Sequence, residues 1–156
     1  LQVSGNDLIA CIDPLAIDDL AALRELLYDN TIVKILHACR QDIEVLLQMF
    51  DGIPLPVFDT QLAAAFSGHG DQVSYAALVE KLNGVTLPKA HTRARWCQRP
   101  LSESEIRYAE DDVRYLPDIY ATLDDQMRQR QHRDWFDAVM QGLTEIDSFE
   151  IVNADA

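Results

Sequence analysis

Apolar and polar positions alternate along this chain in two distinct periods, and the switches between them mark its elements. DLIACID (7–13) is a short apolar run closed by Pro14 and predicts a buried strand. Asp18 or Asp19 is placed to cap a helix carrying Leu20, Leu23, Leu26 and Leu27 at helical spacing, stopped near Asp29 and Asn30. TIVKILHA (31–38) predicts a second, β-branched strand, and RQDIEVLLQMF (40–50) an amphipathic helix with Ile43, Leu46, Leu47 and Phe50 on one face. Gly52 and the pair Pro54 and Pro56 break it. VFDT (57–60) reads as a short strand ending in Asp59, the N-cap of the helix QLAAAF. Ser74 caps the next helix, which points Leu78, Val79 and Leu82 inward and stops at Asn83-Gly84.

From Val85 to Leu101 the pattern has no clear period. Ser102 and Glu105 then form S-x-x-E, the capping box of a new helix, which Pro117 ends or kinks. A helix over 118–130, a basic turn QRQHRD and a last amphipathic helix near 134–143 complete the chain. There is no internal repeat. Strands alternating with helices predict an α/β domain built on a mainly parallel sheet.

The helix after Ser102 carries three consecutive acids, Glu110, Asp111 and Asp112, although adjacent like charges and aspartates both disfavour a helix. At about 100° per residue, Ile106, Ala109, Val113, Leu116 and Tyr120 share one face. Tyr108 and Asp112 stack as an i, i+4 pair on its flank. Glu110 and Asp111 point elsewhere and are expected to be solvated. Asp112 is thus either a surface acid or a metal-binding carboxylate beside a hydroxyl, and the second possibility needs another carboxylate. Asp42, in the first turn of the helix after TIVKILHA, is the best candidate, because sites in open α/β sheets form outside the carboxyl ends of strands. Its alternative role is to complement a helix dipole. Asp59 reads as a cap, and His37 as a strand-end histidine more suited to structure than to substrate contact.

Composition narrows the class. A chain of 156 residues with 48% hydrophobic and 25% charged residues has the make-up of a soluble domain with a core. No apolar run is long enough for a membrane span. No charged-then-apolar leader opens it. Cys11, Cys39 and Cys97 are odd in number and widely spaced, which points to a reducing, cytoplasmic compartment. The net charge of −13 argues against binding nucleic acid by bulk charge. A local exception runs from Lys89 to Arg99, where Lys89, Arg93, Arg95 and Arg99 meet no acid and surround Trp96.

Three blocks together resemble the ribonuclease D branch of the DEDD 3′–5′ exonucleases, in the subgroup that uses tyrosine: H-A-x-x-x-D-x-E-V-L (His37 to Leu46), F-D-T-Q-L-A-A-A-F (Phe58 to Phe66), and K-A-H-T-R-A-R-W-C-Q-R-P-L-S leading into Y-A-x-x-D-V-R-Y-L-P (Lys89 to Pro117). The R-W-x-x-R-P-L lead is the specific part. The resemblance covers residues 1–125 as a partial exonuclease domain, with 126–156 a helical extension. It implies a ribonuclease H-like α/β fold with a mixed sheet flanked by helices, and two divalent ions, Mg²⁺ or Mn²⁺. It also implies removal of nucleoside 5′-monophosphates from RNA 3′ ends, with transfer RNA precursors as the expected substrate. Asp42 matches the second exonuclease motif; Tyr108 and Asp112 match the third. Asp42 and Asp112 are the expected metal ligands, and all three the expected catalytic residues. Lys89, Arg93, Arg95 and Arg99 are expected on phosphates and Trp96 on a base. For Trp96 and Arg99 the alternatives are packing of the loop and pairing with an acid.

The resemblance also exposes a departure. The family's first motif, D-x-E on a central first strand, has no match. The chain's only D-x-E is Asp42-Ile43-Glu44, on a helix, where i and i+2 diverge by about 160°. Leu1 to Val3 corresponds to the end of the family's second strand. The chain is therefore expected to be a piece of a longer protein holding half of a metal site, with the isolated 156 residues folding poorly and leaving RNA intact. A DNA exonuclease of the same subgroup, or a noncatalytic interaction domain, is the alternative.

Overall fold

A computed structural model describes residues 1–5, 8–88, 96–145 and 149. Strands β1 (Gln2–Gly5) and β2 (Leu8–Cys11) pair antiparallel, with Gln2 opposite Cys11 and Gly5 opposite Leu8. β3 (Lys34–Leu36) and β4 (Val57–Asp59) pair parallel, with Ile35 opposite Phe58. The expected parallel relation thus holds for β3 and β4 and fails for the first two strands. Their connection is too short to be a crossover, so only a hairpin is open to them.

The strand expected over 31–38 shrinks to three residues for a visible reason. Asp29 accepts hydrogen bonds from the backbone N–H and hydroxyl of Thr31. The buried Lys34 ammonium donates to the carbonyls of Asp29, Ile32 and Leu55. Residues before Lys34 are thereby curled into a turn. Downstream, Ala38 takes a left-handed φ of 55° and ends the extended run.

Helix α1 (Ala21–Leu27) starts two residues beyond Asp19, whose carboxylate still accepts from the Ala21 N–H. α2 (Arg40–Phe50) buries Ile43, Leu46 and Leu47 and closes on a left-handed Asp51. α3 (Thr60–Phe66) is capped by Asp59 and α4 (Tyr75–Asn83) by Ser74, as their sequences predict, and Gly84 (φ 69°) stops α4. α5 (Glu103–Arg114) opens with the reciprocal Ser102–Glu105 capping box. Pro117 then breaks the run: α6 (Leu116–Gln129) begins afresh with this proline in its first turn, and α7 (Arg133–Leu143) follows.

The core sits where α3, α4, α6 and α7 converge on β4. Phe58 lies 4.7 Å from Tyr120 and 4.8 Å from Phe136 between ring centroids, over the fully buried Leu78, Ile119, Leu123 and Met127. α6 runs unbroken past residue 125, and α7 packs on α3, β4 and α6. α6 also touches both β1 and β3, so one helix underlies the two strand pairs. Among the described residues no helix is long and apolar enough to cross a membrane.

Candidate metal centre

A cleft of about 490 Å³ separates the two strand pairs. Residues 1–4 form one wall and 33–36 the other, with apolar side chains of α1 and α2 beside them. Asp42, His37, Tyr75 and Asp112 belong to the cleft's polar lining, together with Gln2, Ser4 and Lys34. Asp42 arrives from the first turn of α2, and Asp112 from near the end of α5. Both carboxylates are open to solvent, yet the protein around them disfavours their charge. Desolvation raises the pKa of Asp42, and the nearby Asp59 adds to it. Asp112 is pushed up to about 6, by desolvation first and by the Asp111 charge second. Neither side chain has a hydrogen bond or ion pair to the described residues.

The three acids of α5 are therefore not alike. Glu110 and Asp111 share the Arg114 guanidinium at 3.1 and 2.8 Å, at i+4 and i+3. They are paired rather than merely solvated, a relation that their spacing to Arg114 already carries. Asp112 alone faces the cleft. Tyr108, one turn earlier, is a neutral phenol whose pKa burial and the Asp112 charge both raise. Trp96 lies against its ring, centroids 5.9 Å apart.

Asp59 is the cap that its sequence predicts, and more. Its buried carboxylate accepts from the N–H groups of Gln61 and Leu62 and also from Ala38 and Cys39. It so ties the start of α2, and Asp42 with it, to the end of β4. His37 lines the cleft, but both ring nitrogens lie in hydrogen-bonding distance of protein atoms, Thr60 Oγ1 at 2.9 Å and the Val73 carbonyl at 3.1 Å. Burial lowers its pKa.

Of the basic cluster, Lys89, Arg93 and Arg95 lie outside the described residues. The Arg99 guanidinium pairs with Asp13 and donates to the carbonyls of Trp96 and Gln98, so the paired alternative describes its position. Tyr75 and Ser4 are cleft residues that the sequence does not reveal, since their partners lie far along the chain.

Residues 1–128 match the 3′-5′ exonuclease family. The chain belongs to that family. Within it, this 3′-5′ exonuclease domain is 47% identical over 136 residues to ribonuclease D of Granulibacter bethesdensis, covering 86% of this chain and 34% of that protein. It superposes on the crystal structure of Escherichia coli RNase D, an exoribonuclease involved in structured RNA processing, with a TM-score of 0.84 and 37% identity, over 93% of this chain and 40% of that one. Brucella melitensis NrnC with bound Mg²⁺ is also similar, at a TM-score of 0.72 and 27% identity, over 86% of this chain and 69% of that one. The chain thus spans about a third of the length of these curated ribonuclease D proteins. Among the described residues of this exonuclease domain, no three or more His, Cys, Asp or Glu side chains are grouped so that they could hold a metal ion.

Proposed function

We propose that the chain serves a metal-dependent 3′–5′ exoribonuclease of the ribonuclease D type, which releases nucleoside 5′-monophosphates from RNA 3′ ends. The observation that carries this is the convergence of two carboxylates without partners among the described residues, Asp42 and Asp112, on one cleft, with the Tyr108 phenol near enough to Asp112 to feel its charge. Each of these acids is desolvated, which is unfavourable for a bare carboxylate and favourable for one that meets a cation. The donor set fits hard divalent ions, Mg²⁺ or Mn²⁺, with Asp42 and Asp112 as ligands. Two such ions would supply Lewis acidity toward the phosphodiester.

The protein's own groups do the rest. Tyr108, held neutral and braced by Trp96, offers its hydroxyl to orient an attacking water beside Asp112. Trp96, 36% exposed, keeps part of its face available to a nucleobase. Lys89, Arg93 and Arg95 supply local positive charge for phosphates in a chain of net charge −13, and Arg99 is paired with Asp13. The free thiols of Cys11, Cys39 and Cys97 suit a cytoplasmic location.

The test is hydrolysis of a 5′-labelled RNA, a transfer RNA precursor and a DNA of matching sequence by the full-length protein, with and without Mn²⁺ or Mg²⁺. Stepwise 3′ shortening of RNA that stops on chelation is the expected result. Equal trimming of DNA would move the assignment to a DNA exonuclease. Binding without cleavage of either would make it a noncatalytic domain.

A further inference from the structure

We infer that Tyr75, aided by Ser4, is a positioning residue that holds the break between α5 and α6 so that Asp112 faces the cleft. The inference rests on the metal-site role proposed for Asp112. It starts from Pro117, which has no N–H to give to the carbonyl four residues earlier and whose ring crowds that carbonyl. That carbonyl belongs to Val113, next to Asp112. In its place the Ser4 hydroxyl, reaching across from β1, donates to Val113 at 2.8 Å.

One turn of backbone is open as well. In an unbroken helix the Tyr115 N–H would bond the Asp111 carbonyl. Here it turns to the Val113 carbonyl and to the Tyr75 hydroxyl, the latter at 3.2 Å. The same hydroxyl donates to the Asp111 carbonyl at 3.0 Å. The phenol of Tyr75 is therefore inserted into the i, i+4 ladder, accepting from one side of the gap and donating to the other. Such insertion is a recognised cause of a sharp helix break. Burial raises the pKa of Tyr75, which keeps the proton this bridge needs.

Asp112 lies between the bridged Asp111 carbonyl and the Ser4-bonded Val113 carbonyl. Its backbone is thus pinned from α4 on one side and β1 on the other, while its side chain is left unbonded. Tyr75 also packs its ring against His37, centroids 5.6 Å apart, which ties the clamp to the end of β3.

The experiment is Mn²⁺ binding to the full-length protein, followed by the electron paramagnetic resonance of free Mn²⁺, together with thermal unfolding. Tyr75→Phe keeps the ring and removes the bridge, and should weaken Mn²⁺ binding by about 10-fold, the scale of outer-shell partners of metal ligands. Ser4→Ala, at the cleft wall, should weaken it by about 3-fold, the scale of one hydrogen bond. Tyr28→Phe is the control: its phenol also donates to a backbone carbonyl, that of Gly52 at 2.6 Å, but outside the cleft. It should lower the unfolding temperature and leave Mn²⁺ binding unchanged. If Tyr75→Phe fails to fold, Ser4→Ala decides alone. Tyr75→Phe and Ser4→Ala binding Mn²⁺ within about twofold of the parent, while Asp112→Asn loses it, would overturn the positioning role only. Parental binding by Asp112→Asn would overturn the metal site, and this inference with it.

Discussion

Asp42 and Asp112 open onto the same cleft from two helices that meet only through the fold, one at the start of α2 and one near the end of α5. Neither has a partner among the described residues, so replacing either with asparagine should leave stability unchanged or raise it, by relieving a desolvated charge. The effect belongs to metal binding. Asp42→Asn and Asp112→Asn should each weaken Mn²⁺ binding by more than about 100-fold, beyond the range of outer-shell changes. RNA trimming should fall in step. Calorimetric titration of Mn²⁺ alongside urea unfolding separates the two quantities.

The raised pKa of Asp112 sets a pH limit. Folded Asp112 holds its proton up to about pH 6, whereas the unfolded side chain releases it near the ordinary aspartate value of 3.8. Between those values the folded state binds more protons, so this group's contribution to stability falls as pH rises through the window. Asp112→Asn should flatten that part of the stability profile. Metal binding has the opposite demand, since the ligand must be ionised. Mn²⁺ affinity should therefore drop as pH falls through about 6, with protons released on binding above background. Titrations in buffers of different ionisation enthalpy count those protons; their absence would show that Asp112 is not the ligand.

Arg114 tunes this limit from outside the cleft. It pairs with Asp111, whose charge is one cause of the high Asp112 pKa. Replacing Arg114 with glutamine leaves Glu110 and Asp111 without their shared cation and so disfavours ionisation of Asp112 further. The acid limb of Mn²⁺ binding should move to higher pH. The pairs are surface ones, so the stability cost should stay below about 1 kcal/mol. Raising the salt concentration should shrink the shift, because the unpaired acids are then screened.

How much of this was legible in the sequence depends on how local each cause is. The caps at Asp59, Ser74 and Ser102, the stop at Gly84 and the break at Pro117 all act within a few residues of themselves, and each is where the sequence places it. The pairing of β1 with β2 and the shortening of β3 were not legible as such. They follow from a hairpin connection and from Lys34 reaching the carbonyl of Leu55, which no periodicity reports. At the site, Tyr108 and Asp112 share a helix and could be read from spacing. Asp42 could be placed only by its position after a strand. The bridge from Tyr75 to Asp111 and the bond from Ser4 to Val113 link distant segments and have no sequence signature. The helical face drawn through Ile106 and Tyr120 also fails at its start: Ile106 is 36% exposed, whereas Ala109 and Leu116 are buried.

Asp59 joins these two levels, since one locally legible cap also holds the site. Its carboxylate, 6% exposed, accepts from four backbone N–H groups, two opening α3 and two leading into α2. Asp59→Ala strips both helix starts and should destabilise the fold by about 3 kcal/mol, given roughly 1 kcal/mol for an ordinary cap and more for buried donors left bare. Asp59→Asn keeps one acceptor oxygen and sets an amide donor against an N–H, so its cost should fall between that of alanine and none. Both changes free the first turn of α2, which carries Asp42. Mn²⁺ binding should therefore weaken in the order parent, asparagine, alanine, even below the temperature at which either variant unfolds. Urea unfolding and Mn²⁺ titration on the same samples test the link. An alanine variant that is destabilised but binds Mn²⁺ like the parent would show that Asp59 supports the fold without placing Asp42.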